Sequence, residues 1–197
     1  MTAWSRPKPT ALGLNMATKL PKLIETERLN IELYSALQIK HILPGVIEAN
    51  LDYLAEWMPW ATPEAFAATD YSKKAVEWKA LEDAGSDFHY GIWVKGEDDE
   101  LVGAIGAHHR NGQPPETIEI GYWLTEAAQG SGYMTEAVRA LTNVAFTNDH
   151  IATVEITYDE TNAKSSAICE RLGFARVGTR FSHHGTEVVV TSRSTPI

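Results

Sequence analysis

Alternating apolar and polar residues mark the strands of this chain, and a helical repeat marks its best-defined helix. From Arg28 to Leu33 the residues Leu29, Ile31 and Leu33 share one face, which predicts a first strand. Residues 36–57 read as helical, with Pro44-Gly45 expected to break or kink the stretch near its start. Pro59 and Pro63 close it and open a second helix over about 63–84, ending before Gly85. Phe88, Tyr90, Ile92 and Val94 then alternate with His89, Gly91, Trp93 and Lys95 in a strand from Phe88 to Lys95. The polar turn Lys95-Gly96-Glu97-Asp98-Asp99 leads into a strand from Leu101 to His108. A turn at Asn111-Gly112-Gln113-Pro114-Pro115 precedes another strand, Thr117 to Leu124.

The repeat then changes. Met134, Ala137, Val138, Leu141, Val144 and Ala145 fall on one stripe of an amphipathic helix. Thr153 to Tyr158 reads as a strand and Ala163 to Leu172 as a short helix, with Gly173 suited to follow its end. Ala175–Phe181 and Thr186–Thr191 form a last hairpin across His183-His184-Gly185. Antiparallel hairpins followed by a strand-helix-strand unit predict an α/β (α+β) fold around a mixed sheet. Residues 1–20, with Pro7, Pro9 and Gly13, read as a loosely ordered arm, and residues 21–197 as a single domain.

Composition narrows the function. Seventeen Lys and Arg against 26 Asp and Glu give a net charge of −9, which argues against direct nucleic-acid binding. The acidity is concentrated in residues 31–160. Such a surface keeps a protein soluble, and it also attracts a cationic partner such as an amine. No apolar run reaches membrane-spanning length, and the arm lacks the apolar stretch of a secretory signal, so the expected compartment is the cytoplasm. The single cysteine, Cys169, excludes an intrachain disulfide and reads as inert packing in its helix. His108-His109 and His183-His184 are neighbours on extended chain and face opposite ways, so neither pair is expected to chelate a metal.

The most informative stretch is Gln129-Gly130-Ser131-Gly132-Tyr133-Met134, which joins a strand to the amphipathic helix. Glycines let the backbone approach a ligand, and the first helical turn has amides free to hold a phosphate. No Gly-Lys-Ser/Thr occurs, so this is not a Walker loop. The third glycine of a dinucleotide fingerprint would fall on Thr135, which excludes that motif too.

Together with Ile120-Gly121-Tyr122-Trp123-Leu124, this loop resembles the acetyl-CoA-binding core of the GNAT superfamily of N-acetyltransferases. Gln129, Gly132 and Met134 fall on the marked positions of the family's phosphate motif, the Met being a mild departure. Asn162-Ala163-Lys164-Ser165 and Glu170-Arg171-Leu172-Gly173-Phe174 resemble its second cofactor motif. Glu25-Thr26-Glu27-Arg28-Leu29 and Trp57-Met58-Pro59-Trp60 resemble the branch that acetylates ribosomal-protein N-termini, the RimJ/RimL type.

The resemblance implies a six- to seven-stranded mixed sheet splayed at its fourth and fifth strands, with about four helices. Acetyl-CoA is the implied co-substrate, with no metal and no membrane, in a monomer or homodimer. Pantetheine would lie along Tyr122, Trp123 and Leu124, and the pyrophosphate on the amides of Gly130, Ser131, Gly132, Tyr133 and Met134, beside Gln129. Asn162 would hold the pantetheine arm, and Ser165 matches the position whose hydroxyl protonates the leaving thiolate, with Tyr158 as a reserve acid. The residues themselves add Glu119 as a candidate base, since alternation places it on the face of Gly121 and Trp123. Trp57 and Trp60 are candidate walls of an acceptor pocket. The implied reaction is direct attack of a primary amine on the thioester in a ternary complex, with a protein N-terminal α-amine as the leading acceptor. Two alternatives stay open: a small-molecule amine (a polyamine, an amino acid or an antibiotic), and a module that binds acyl-CoA without catalysis.

Overall fold

The computed structural model describes residues 18–96, 100–182 and 185–197. Among them eight strands form one sheet: β1 (Leu23–Glu25), β2 (Leu29–Leu33), β3 (Asp87–Val94), β4 (Glu100–His108), β5 (Thr117–Leu124), β6 (Thr153–Tyr158), β7 (Ala175–Phe181) and β8 (Glu187–Arg193). Their order is β1-β2-β3-β4-β5-β6-β8-β7, and every neighbouring pair is antiparallel except β5 and β6. The strand beyond the expected six or seven is β1, whose three residues are too few to show alternation.

Among the described residues, seven α-helices replace the expected four: α1 (Ala36–His41), α2 (Leu43–Glu48), α3 (Leu51–Ala55), α4 (Pro63–Ala67), α5 (Tyr71–Asp83), α6 (Tyr133–Ala145) and α7 (Ala163–Arg171). The two long helices read from the sequence each divide. Pro44 does not interrupt a helix but lies in the first turn of α2, where its missing N–H costs nothing. Asp70 accepts from the Ser72 and Lys73 amides, so α5 starts afresh at Tyr71.

The amphipathic stripe of α6 buries Met134, Ala137, Val138, Leu141 and Ala145 in a core with Leu29, Ile31, Ile118, Ile120 and Ile156. A second core, of Tyr34, Ile39, Leu43, Ile47, Ala75, Trp93 and Leu101, joins α1, α2 and α5 to the opposite face. The sheet is thus covered by α6 and α7 on one side and by α1, α2 and α5 on the other.

Residues 1–17 of the expected arm lie outside the described residues, as do Glu97, Asp98 and Asp99 of one turn and His183 and His184 of another. Thr18 and Leu20 are buried against the fold. Among the described residues, no helix is long and apolar enough to cross a membrane.

Candidate active site

The parallel pairing of β5 with β6 runs from Thr117–Thr153 to Ile120–Ile156 and stops there. Beyond it, Tyr122, Trp123 and Leu124 pair only with β4, while Thr157 and Tyr158 pair only with β8. The two strands therefore part, leaving one edge of Tyr122–Leu124 without a sheet partner in a wedge where α6 and α7 begin. The splay expected from the sequence is present.

On one side of the wedge is a cavity of about 900 Å³. Its floor is the loop into α6, where Gly130 and Gly132 take φ of 75° and 78°, a left-handed conformation that favours glycine. Gly132 is the N-cap of α6 and has no side chain to bond the first-turn amides, in contrast to Ser35, Thr62, Asp70 and Asn162 at α1, α4, α5 and α7. Those amides, at the positive end of a thirteen-residue helix, are left for an anion.

The loop is braced from a distance. Arg28, just before β2, donates from Nη1 to the Ser131 carbonyl at 2.8 Å and from Nε to Glu136 Oε2 at 2.7 Å. The Arg28 amide and the Thr26 hydroxyl donate to Glu136 Oε1 at 3.0 and 2.6 Å. Burial works against the Glu136 carboxylate, yet these hydrogen bonds hold its pKa below the usual value.

At the mouth of the wedge, Asn162 caps α7 by accepting from the Ser165 amide at 3.0 Å. Ser165 borders this cavity together with Tyr122, Trp123, Leu124, Gln129, Gly130, Gly132, Tyr133, Met134, Asn162 and Trp57. Ser131, between Gly130 and Gly132, does not line the cavity; its carbonyl accepts from Arg28. The Tyr122 hydroxyl is buried with no hydrogen-bond partner among the described residues, and burial pushes its pKa far up. Cys169 is buried and accepts from Thr191 Oγ1 at 3.4 Å, and burial raises its pKa as well.

A second cleft, of about 1230 Å³, opens on the opposite face of the sheet. Glu119, Tyr158 and Trp60 border it. Trp60 meets Trp123 edge to face, with ring centroids 6.4 Å apart. Tyr158 donates to Ser166 Oγ at 3.5 Å. Both oxygens of Glu119 accept from guanidinium groups, Oε1 from Arg110 at 2.9 Å and Oε2 from Arg180 at 2.5 Å. Arg180 also bridges to Glu155 at 2.5 Å. The cavity and the cleft share Trp57, Met58, Tyr122, Trp123, Asn162 and Ser165. A ligand entering from each side would meet its counterpart at these six residues.

Two features carried no assigned role in the sequence reading. Arg139, Lys164 and Arg171 line the cavity; Lys164 donates to the Gln129 side chain, and Arg171 to Thr135 Oγ1 at 2.9 Å. Lys164 stands within the second motif, so its position was a usable signal. The other feature is the trio Asp87, His89 and His108 in the cleft, where His108 Nδ1 lies 2.8 Å from Asp87 Oδ1. Strand spacing puts Asp87 and His89 on one face, but only the register with β4 adds His108. Burial works against the Asp87 carboxylate, yet the hydrogen bond with His108 holds its pKa below the usual value. His89 stacks on Trp78 at 4.0 Å, and burial, reinforced by His108, lowers its pKa to about 3.

Residues 35–175 match the family model described as acetyltransferase (GNAT) domain. Among curated proteins, the ribosomal-protein-serine acetyltransferase of Escherichia coli K12 is 27% identical over 76% of this chain and 81% of its own. Among solved structures, RimL, a ribosomal L7/L12 alpha-N-protein acetyltransferase bound to coenzyme A, superposes with a TM-score of 0.75 at 20% identity, over 87% of this chain and 97% of that one. The Salmonella typhimurium acetyltransferase that modifies the N-terminal serine of 50S subunit protein L7/L12 gives 0.72 at 20% identity, over 88% of this chain and 99% of that one.

Proposed function

Because the chain belongs to the GNAT acetyltransferase family and so is an acetyl-CoA-dependent acetyltransferase, we propose that its acceptor is the α-amine at a protein N-terminus. The observation that carries this reading is the pair of cavities on opposite faces of the sheet, meeting at Ser165 and Tyr122. The first is built for a long anionic ligand, with glycine amides at one end and an unpaired strand edge along its length. The second, about 1230 Å³, is larger than the roughly 300–1,000 Å³ typical of small-molecule pockets, and it suits the end of a peptide. The relative named above for ribosomal-protein serine supports that choice.

In this reading the amides of α6 and the flanking Lys164 and Arg171 hold the phosphates. The free edge of Tyr122–Leu124 pairs with the pantetheine amides, and Asn162 steadies the arm. The acceptor enters past Trp57 and Trp60. Its nitrogen attacks the thioester carbonyl, whose developing negative charge is met by a backbone amide of β5. The C–S bond then breaks and Ser165 Oγ gives the thiolate its proton, with Tyr158 farther along the same wall. Glu119 is held on both oxygens by arginines, and its part is to fix Arg110 and Arg180 in the cleft wall rather than to take a proton.

Free-thiol release with acetyl-CoA tests the proposal across N-terminal peptides, including one beginning with serine, spermidine and an aminoglycoside. The peptides are expected to turn over best. Release with spermidine or the aminoglycoside alone would replace the acceptor assignment. Release with none, alongside intact acetyl-CoA binding, would favour a binding module.

A further inference from the structure

Amine acetylation needs a proton acceptor, because an α-amine with an ordinary pKa of about 7.7–8.0 is largely an ammonium ion at neutral pH and cannot attack. With Glu119 clamped, the cleft holds one better-placed group. Asp87 on β3 and His108 on β4 are directly opposed across the ladder. A carboxylate only accepts, so the 2.8 Å contact makes His108 Nδ1 the donor. That fixes the neutral ring's other nitrogen, Nε2, as a bare lone pair, and Nε2 has no hydrogen-bond partner among the described residues.

The ground in front of that lone pair has been kept clear. Gly106 on β4 pairs with Gly121 on β5, so two neighbouring positions on the cleft face carry no side chain. A Cβ at position 106 would collide with His108 Nε2, and one at position 121 would lie 4.0 Å from it. His108 thus lies along a strip of bare backbone that leads from Nε2 toward Trp123 and the wedge. The His108 side chain is 10% exposed, so its orientation is set by packing.

We infer that His108, oriented by Asp87, takes the proton from the acceptor ammonium on the Gly106–Gly121 strip. The inference rests on the acetyl-transfer reading of the cleft but not on which amine binds. Nε2 accepts one proton from the ammonium and passes it to solvent through the cleft. The freed lone pair forms the C–N bond, the C–S bond breaks, and the nitrogen sheds a second proton as the thiolate gains one. The sum is an amide, a thiol and one released proton. The charged groups and imidazoles that share the cleft with His108 are Asp87 and His89 from β3, His109 and Arg110 from the turn after β4, Glu119 from β5, Glu56 from the end of α3, Lys74 from α5, Asp159 just after β6 and Arg180 from β7. His89 stays neutral at working pH and adds no cation beside the imidazole.

The test is kcat/KM against pH for wild type, His108→Gln, Asp87→Asn and Gly121→Val, with a serine-starting peptide and, separately, spermidine, each with the acetyl-CoA Kd measured alongside. His108→Gln is expected to lose about a hundredfold or more at pH 7 and much less at pH 9, where the amine deprotonates unaided. Asp87→Asn is expected to move the acidic limb to lower pH, a change that a merely structural role would not produce. Gly121→Val has room to fold and is expected to lose turnover by occupying the strip, with the acetyl-CoA Kd unchanged. An unchanged rate in His108→Gln, or, with the peptide, a loss equal at both pH values with Kd intact, would overturn the assignment. So would activity lost to a chelator and restored by Zn²⁺, which would make the trio a metal site. Turnover of spermidine but not of peptide would overturn the acceptor proposal alone; His108 would then be read from the loss in His108→Gln at pH 7 and from the acidic limb in Asp87→Asn, since an alkylamine with an ordinary pKa of about 10.4 stays an ammonium at pH 9.

Discussion

Replacing Glu136 by Gln should loosen the phosphate loop without touching any residue that faces the reacting atoms. Glu136 gathers four donors, the Thr26 hydroxyl and the amide, Nε and Nη2 of Arg28, and Arg28 in turn holds the Ser131 carbonyl. Hydrogen bonds to a charged group contribute roughly 1.5–3 kcal/mol each when well shielded. Here the Arg28 side chain is 44% exposed and that of Glu136 is 18% exposed, so solvent screens the ion pair and the gain is discounted. Gln keeps two or three of the contacts with a neutral oxygen, which leaves an expected loss of about 1–2 kcal/mol. In a domain of this size each kcal/mol corresponds to roughly 2–4 °C of Tm. Melting at pH 7 should therefore fall by about 2–8 °C, and the acetyl-CoA Kd should rise severalfold because the loop must now be ordered on binding. The sign of the pH dependence is fixed. Glu136 has a lowered pKa in the folded protein, so its stabilisation is complete above the unfolded value of about 4.3 and is lost as pH falls through the lower folded value. The gap between wild type and variant should be constant from pH 7 to pH 5 and close below about pH 4. A variant that melts within 1 °C of wild type and binds acetyl-CoA equally would refute this account of the brace.

Gly132→Ala should cost about 1–2 kcal/mol through its left-handed φ of 78°, since the nearest atom to a new Cβ is Arg28 Nη2 at an ordinary 3.5 Å; thermal melts and acetyl-CoA titration should both register it. Ser165→Ala should lower kcat far more than it raises the acetyl-CoA Kd, and unchanged turnover would remove Ser165 from the chemistry. His89, with its pKa lowered to about 3, binds a proton more readily once unfolded. Its contribution is full above the unfolded pKa of about 6.5 and is lost as pH falls toward 3, so Tm in His89→Phe should fall less than in wild type between pH 6.5 and 4.5. Cys169 should resist a thiol reagent in the native state and react on unfolding, because it is buried and its pKa is raised.

The parts of this molecule legible in the sequence are those where one local rule acts alone. Thr117–Leu124 and Thr153–Tyr158 were bounded correctly because turn residues flank uniform strands, and the stripe of α6 repeats for its full length. The helices before β3 were not, because their breaks at Ile42, Asn50 and Asp70 follow from capping and from packing on the second core. The glycine loop was readable from its letters. Its brace was not, since Arg28 and Glu136 are 108 residues apart and nothing local links them. The same holds for Glu119: alternation gave its face, but the two arginines that occupy its oxygens come from a turn and from a strand 61 residues away.

The net charge of −9 takes on a different meaning once these residues are placed. An acidic chain can hold phosphates on backbone amides alone, yet Arg28, Arg139, Lys164 and Arg171 all border the cofactor cavity, where only Glu27 and Glu136 oppose them. Glu136 is already spent on Arg28, so the local balance there is positive although the protein is not. In the other cleft Arg110 and Arg180 are neutralised by Glu119 and Glu155, which leaves Glu56, Asp87 and Asp159 against Lys74 on its wall. The sheet thus separates a wall that favours an anion from one that favours a cation. Raised salt should accordingly weaken acetyl-CoA binding and acceptor KM together, whereas Lys164→Ala should weaken only the first, measured by the acetyl-CoA Kd against the acceptor KM at fixed ionic strength.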